Sequence, residues 1–181
     1  MVRLEGAGTR DERGFTLIEM MIVVAVIAIL AVIVVPQFTS ETRKTKASSE
    51  VTPMFAELTL KLEAAKGENN GRYPELDGTP CPSAVPSTPY DATTCTDATS
   101  PNWDPIGFQA PESKLRCQYA IQTGAPGETA DVPSGFTFTA PSTQPWYWIY
   151  AECDSDGQGG TNSKYFATSV DPKQVKLDEG R

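Results

Sequence analysis

Apolar residues form a membrane-length run near the start of the chain, at residues 15–35. The run is 21 residues long, and its one charged residue is Glu19. At about 1.5 Å of rise per residue, such a helix crosses a hydrocarbon core of roughly 30 Å. It is longer than the apolar part of a secretory signal, about 7–15 residues, and no small-residue cleavage site follows it. The pattern therefore predicts a membrane-spanning helix.

A second apolar pattern, with helical spacing, follows the run. Six apolar residues fall on one face of a helix: Val51, Met54, Phe55, Leu58, Leu62 and Ala65. Gly67 and the polar residues after it indicate the C-terminal end of this helix. We expect one helix over residues 15–66, roughly 78 Å long, which Pro36 and Pro53 bend because proline lacks a backbone donor. The apolar face predicts a contact with a sheet.

The rest of the chain changes from loop-like to strand-like composition. Residues 67–113 are rich in Pro, Ser, Thr and Asp and have no sustained period, which predicts a long loop. Four later segments have β-branched and aromatic residues typical of strands: 116–122, 136–140, 146–152 and 164–170. A helix packed on a small antiparallel sheet is an α+β fold.

The chain has four cysteines, all downstream of the apolar run: Cys81, Cys95, Cys117 and Cys153. An even number in a region that leaves the cytoplasm predicts two disulfides, with three possible connectivities. If the strands at 116–122 and 146–152 are antiparallel neighbours, Cys117 and Cys153 lie at the same end of the pair. This arrangement favours Cys117–Cys153 together with Cys81–Cys95.

Charge and composition exclude several classes of function. Residues 67–181 hold seven basic and fifteen acidic residues, which accounts for the net charge of −8. This acidity argues against direct nucleic-acid binding, which needs Lys and Arg. The chain has no His, which removes the commonest general base and His-ligated zinc. We expect no enzymatic activity and no cofactor.

Two segments invite a binding function, and a structural role is favoured for each. Asp154 and Asp156 precede Gly157 as in a calcium loop, but the full spacing of such a loop is absent, so a Gly/Asp-rich turn explains them better. Calcium binding at these two residues is the alternative. The aromatic stretch Trp146–Trp148 has the composition of a sugar-binding or adhesive patch, but aromatics at strand spacing are more often core.

Glu19 is the most informative residue of the apolar run. A carboxylate inside a bilayer is costly and usually marks a function with a partner. No Lys, Arg or His lies between Gly14 and Gln37, so the run offers Glu19 no partner. Cleavage after Gly14 would create one, because it frees an α-amino group on Phe15. On assembly, the Phe15 ammonium of one subunit would neutralise the Glu19 carboxylate of a neighbour and so set the stagger between the two subunits.

The sequence RGFTLIEMMIVVAVIAILAVIVVPQF, at residues 13–38, resembles the class III signal of type IV pilins and type II secretion pseudopilins. In that family, a prepilin peptidase cuts after the glycine and N-methylates the new phenylalanine. The resemblance assigns cleavage to Gly14 and Phe15, methylation to Phe15 and the contact between subunits to Glu19. Pro36 lies where the family commonly has a helix-bending proline.

The resemblance also implies an organisation for the whole chain. It implies a leader (1–14), a transmembrane and filament-core helix (15–35), an amphipathic half-helix (36–66), a disulfide-closed loop (67–115) and a sheet head (116–181). The leader would lie in the cytoplasm and the head outside the inner membrane, before transfer to a surface pilus. Basic residues after the run, at positions 43, 44 and 46, favour the opposite orientation, but the cysteines agree with the resemblance.

Three functional alternatives follow. The first is a structural subunit that assembles with copies of itself, through the prepilin peptidase and the inner-membrane assembly machinery, into a filament for adhesion, twitching motility or DNA uptake. The second is a minor pilin or a type II secretion pseudopilin. The third, from another class, is a membrane-anchored extracytoplasmic binding protein.

Overall fold

The computed structural model describes residues 15–96, 103–154 and 162–177. The chain divides into two compact units, residues 1–39 and 40–181. The described residues form one long helix, α1, and six strands, β1 to β6, with two short 3₁₀ turns between β1 and β2. A helix combined with antiparallel sheets is the α+β class expected from the sequence, which is therefore confirmed, and the arrangement is consistent with a pilin fold.

The helix α1 spans Leu17–Glu68 and continues through the positions of both prolines. It ends two residues later than the sequence predicts. The Gly71 N–H donates to the carbonyl of Lys66 at 2.9 Å, and Asn70 and Gly71 have φ values of 54° and 80°. Left-handed residues of this kind close a helix by satisfying its last carbonyls. The stop therefore comes from the Asn70–Gly71 pair rather than from Gly67.

The apolar stripe of α1 lies in the core of the second unit. All six of its residues are buried: Val51, Met54, Phe55, Leu58, Leu62 and Ala65. They pack in one cluster with residues of the main sheet, which include Tyr119, Ile121 and Ile149. Burying a single Leu side chain stabilises the folded state by about 1.5–3 kcal/mol, so this contact supplies much of the stability of the second unit, residues 40–181, which is called the head from here on.

The main sheet has four antiparallel strands in the order β3 (Cys117–Gly124), β4 (Trp146–Cys153), β5 (Ser163–Thr168) and β6 (Val175–Leu177). Three of these strands match predicted segments to within two residues at each end, while β6 was not predicted. A second, two-stranded sheet joins β1 (Tyr90–Asp91) to β2 (Lys114–Leu115). Its strand β1 lies inside the segment that the sequence predicts to be a loop, residues 67–113, and β2 directly follows that segment.

The prediction of a strand at residues 136–140 is wrong. This segment is extended but joins no sheet, and it covers the face of the main sheet that points away from the α1 stripe. Phe136 stacks on Phe166 at 4.8 Å between ring centroids, and Phe138 packs edge-on against Trp146 at 5.6 Å. Alternate residues turn inward onto the sheet, which produces a strand-like period without strand hydrogen bonds.

Two disulfides close the head. Cys117 and Cys153 are cross-strand partners in the β3–β4 pair, with Cα atoms 4.3 Å apart. Cys81 is bonded to Cys95 within the long connection after α1. The Cys81 N–H and carbonyl also pair with Tyr119 at 2.6 and 2.8 Å. The connection is therefore fastened to the free edge of β3 as well as closed on itself.

Candidate functional site

Thr16 and Glu19 form a capping box at the start of α1. The Glu19 N–H donates to Thr16 Oγ1 at 3.2 Å, and the Thr16 N–H donates back to Glu19 Oε2 at 3.2 Å. The Thr16 hydroxyl also donates to the same carboxylate oxygen at 3.0 Å. Two backbone N–H groups that helix geometry leaves unpaired are satisfied reciprocally in this way. A carboxylate in the first turn also interacts favourably with the helix dipole.

This cap corrects the expectation that the run offers Glu19 no partner. The expectation considered only charged partners, whereas the partner is the hydroxyl and backbone of Thr16. The signal was present in the sequence as Thr-x-x-Glu before an apolar run. Both bonds to the carboxylate go to Oε2, and among the described residues Oε1 has no partner.

The helix surface that follows Glu19 is apolar and exposed. Leu17–Val35 is long and apolar enough to cross a membrane, with a mean hydropathy of 3.2, and none of it is buried within the chain. Large side chains such as Leu17 and Val32 are more than 70% exposed. Such a surface is stable only in lipid or against other apolar helices. The helix and the motif fit an inner-membrane-anchored precursor.

The other residues of the candidate processing and assembly site are only partly described. Phe15 precedes the helix and is exposed. Gly14, together with the leader at residues 1–14, lies outside the described residues. Pro36 is within the helical part of the chain. Phe15, Thr16 and Glu19 thus lie together at the start of an exposed apolar helix.

The candidate calcium ligands are not brought together in the described part of the chain. Asp154 directly follows β4, and Asp156 lies outside the described residues. Among residues 15–96, 103–154 and 162–177, no three Cys, Asp or Glu side chains converge as a metal-binding group.

The aromatic stretch does not form a surface patch. Trp146, Tyr147 and Trp148 are each at most 3% exposed. Tyr147 faces the α1 side of the sheet, while the two tryptophans face the opposite side under Phe136 and Phe138. Alternation along the strand therefore distributes these rings between two cores.

A buried carboxylate that the sequence did not reveal fastens α1 to the start of β3. Glu50 is 3% exposed. Its Oε1 accepts hydrogen bonds from the N–H groups of Arg116 and Cys117 at 2.9 and 3.1 Å, and from the Tyr119 hydroxyl at 2.9 Å. Burial raises the pKa of Glu50, although the two backbone bonds and the Tyr119 bond act in the opposite direction. Its only sequence signal was a position four residues before Met54, on the apolar face.

Comparison with known families identifies the N-terminal segment. Residues 9–35 match the model of the prokaryotic N-terminal methylation motif. This motif is the class III signal of type IV pilins and pseudopilins. It implies processing by a prepilin peptidase and assembly into pilus or secretion machinery. Comparisons with curated proteins and with solved structures found no significant match to this chain.

Proposed function

We propose that this chain is a structural subunit of a type IV pilus. The observation that carries the proposal is an exposed apolar helical segment, Leu17–Val35, which is capped at its start and bears the methylation motif. The helix would hold the precursor in the inner membrane, and removal of residues 1–14 would release it for assembly. In the filament, apolar helices would pack by side-chain fit, with the heads outside.

The capping box is compatible with this processing. Cleavage between Gly14 and Phe15 leaves the amide and hydroxyl of Thr16 intact, so the cap of Glu19 survives in the mature chain. The cap uses Oε2, and Oε1 is then available for the methylated Phe15 ammonium of a neighbouring subunit. The Glu19 carboxylate would cap the start of the helix in every subunit. On assembly it would also pair with the Phe15 ammonium of a neighbouring subunit, and this ion pair would set the stagger between subunits.

The head supports an extracytoplasmic location. Both of its disulfides are buried, and disulfides form and persist in oxidising compartments. We therefore place the leader in the cytoplasm and the head outside the inner membrane, then on the cell surface.

Filament assembly can be tested on cells that express the chain with and without a prepilin peptidase. Surface filaments are sheared off and probed with an antibody against the head. A pilus subunit appears in the sheared fraction only with the peptidase, and immunogold label decorates the length of the filament. Label at one end only would indicate a minor pilin, and a short periplasmic polymer would indicate a pseudopilin. A chain that stays in the membrane with residues 1–14 attached would instead be an anchored binding protein.

A further inference from the structure

The connection between β3 and β4, residues 125–145, is much longer than the topology requires. The two strands are antiparallel neighbours, and such strands are usually joined by about 2–5 residues. The structure describes all 21 residues of this connection and shows no helix or strand among them. Ordered connections of this length usually have a function. The segment is called the strap from here on.

Side chains rather than hydrogen bonds hold the strap on the sheet. Its five inward residues are only partly buried: Ala130, Val132, Phe136, Phe138 and Ala140. They pack on the sheet face that points away from α1. Among the described residues, the one hydrogen bond between the strap and the sheet runs from the Asp131 N–H to Gln122 Oε1, at 2.9 Å. Segments with few hydrogen bonds and few fully buried contacts open at a lower free energy than core strands.

The rest of the head is held together without the strap. The residues under the strap form a cluster separate from the core on α1. The strands β3 and β4 pair over their whole length, and the Cys117–Cys153 disulfide joins them at the end far from the strap. Lifting the strap therefore leaves the sheet, the disulfide and the contact with α1 in place.

We propose that the strap opens as a unit while the sheet and α1 stay folded. Opening uncovers a continuous aromatic surface on the sheet, formed by Trp146, Trp148, Tyr150 and Phe166. In the closed head, every aromatic ring of the described residues is buried or half-buried. The strap is thus a cover that decides whether the head presents aromatic side chains, which are enriched in binding interfaces. It lies wholly in the second unit, and its opening does not depend on filament assembly.

Chymotrypsin tests the proposal because it cleaves after aromatic residues. The ring of Phe136 or Phe138 cannot enter the protease pocket while it packs on the sheet, so cleavage after either residue measures the population of the open strap. Cleavage after Tyr150 or Phe166, within strands, measures unfolding of the sheet. The full chain in detergent is digested at several urea concentrations below its unfolding transition, and the cut sites are identified by mass spectrometry.

The disulfide between β3 and β4 gives a second measurement. A cut in the strap separates the two strands in sequence, but Cys117–Cys153 keeps the two fragments joined. The nicked chain should therefore migrate as one band without reductant and as two bands with it. We expect cleavage in the strap to be about tenfold or more faster than cleavage in the strands. It should also depend less on urea, because the urea dependence scales with the surface that is exposed.

A pair of strap variants separates opening of the strap from unfolding of the head. Phe136→Ala removes the stack on Phe166 and the edge contact with Tyr150, with centroid distances of 4.8 and 6.0 Å. It should accelerate cleavage after Phe138 about tenfold or more. Thr129→Ala changes an exposed strap residue and should leave that rate unchanged. Synthetic peptides of residues 125–145 correct each rate for the sequence preference of the protease.

Three results would overturn the proposal. The first is an equal rate and an equal urea dependence at the strap and strand sites, which would mean that the strap opens only when the sheet unfolds. The second is an absence of strap cleavage below the unfolding transition. The third is a Phe136→Ala variant in which cleavage is accelerated equally at every site.

Discussion

The hydroxyl of Tyr119, on β3, donates a hydrogen bond of 2.9 Å to Oε1 of Glu50, on α1. The same carboxylate oxygen accepts the N–H groups of Arg116 and Cys117, where β3 begins. One helix side chain therefore satisfies two backbone donors and a hydroxyl that would otherwise be buried without partners. This contact fixes the position of the β3 start along α1, next to the Cys117–Cys153 disulfide.

Removing the carboxylate should cost more stability than removing its hydroxyl partner. Glu50→Ala leaves two backbone N–H groups and the Tyr119 hydroxyl unpaired, and we expect a loss of about 3 kcal/mol or more, since each unpaired buried donor costs about 1–3 kcal/mol. Tyr119→Phe removes one bond, with an expected loss of about 1 kcal/mol. Denaturant unfolding followed by tryptophan fluorescence measures both, because all three tryptophans lie in the head. Equal losses from the two variants would contradict the role assigned to Glu50.

The raised pKa of Glu50 predicts a pH dependence of stability. Its pKa is higher in the folded chain than in the unfolded chain, so the folded chain binds more protons between the two values. The contribution of Glu50 is fully present below the ordinary glutamate pKa and is lost as the pH rises through the raised value. Glu50→Gln does not titrate. The stability advantage of the unmodified chain over Glu50→Gln should therefore shrink as the pH rises through this window, as measured by unfolding midpoints at a series of pH values. An advantage that grows with pH would show that the carboxylate is preferentially ionised in the fold.

The capping box predicts a local effect at the start of α1. Thr16→Ala removes the acceptor for the Glu19 N–H and should destabilise the first turn by about 0.5–2 kcal/mol. Thr16→Ser keeps a hydroxyl at the same place and should behave like the unmodified chain. Amide hydrogen exchange in micelles measures this at residues 17–20. Unchanged exchange in the alanine variant would mean that the cap does not form in a lipid-like environment.

The two roles of Glu19 can be separated by one substitution. Glu19→Gln keeps a side-chain oxygen that can cap Thr16, since glutamine also serves in a capping box, but it removes the charge. We expect membrane insertion and processing to be unchanged, with filament yield in the sheared fraction falling at least tenfold. Glu19→Ala, which loses both the cap and the charge, is the companion variant. Normal filament yield from Glu19→Gln would show that the cap, and not the charge, is what this residue supplies.

Gly124 is required by the tryptophan opposite it. A side-chain atom at this position would overlap the Trp146 ring, so Gly124→Ala should destabilise the head by about 1–3 kcal/mol through forced repacking. Gly67→Ala is the matched control, because nothing lies within 4 Å of that position and it is helical. It should be neutral or stabilise by up to about 1 kcal/mol. Comparable unfolding midpoints for the two variants would contradict the close packing of Trp146 on Gly124.

Local periodicity explains which parts of the fold were predictable. The stripe from Val51 to Ala65 and the alternation in β3 and β4 are properties of contiguous sequence, and the structure contains both. The segment at residues 136–140 has the same alternation but packs over a sheet face without joining it. The alternation in this segment indicates that every second side chain is buried. It does not show whether the backbone hydrogen-bonds to a neighbouring strand, because that depends on other parts of the chain.

The candidate site was predictable to a different extent. Phe15 and Glu19 follow from a contiguous motif, and the cap between Thr16 and Glu19 also has a local signal, Thr-x-x-Glu. Glu50 and the contact between Trp146 and Gly124 have none. Their environments arise from residues 66 to 69 positions away for Glu50, and from strand register for Gly124. Such contacts exist only once the sheet has formed.

The most direct test of the account is the mass of the mature N-terminus. The chain is purified from cells with and without a prepilin peptidase, and its N-terminal peptide is sequenced by mass spectrometry. We expect a chain that begins with N-methylated Phe15 when the peptidase is present and retains residues 1–14 when it is absent. A chain that keeps Met1 in both strains, or that begins after Val35, would contradict the assignment of Phe15 and Glu19 to processing and assembly.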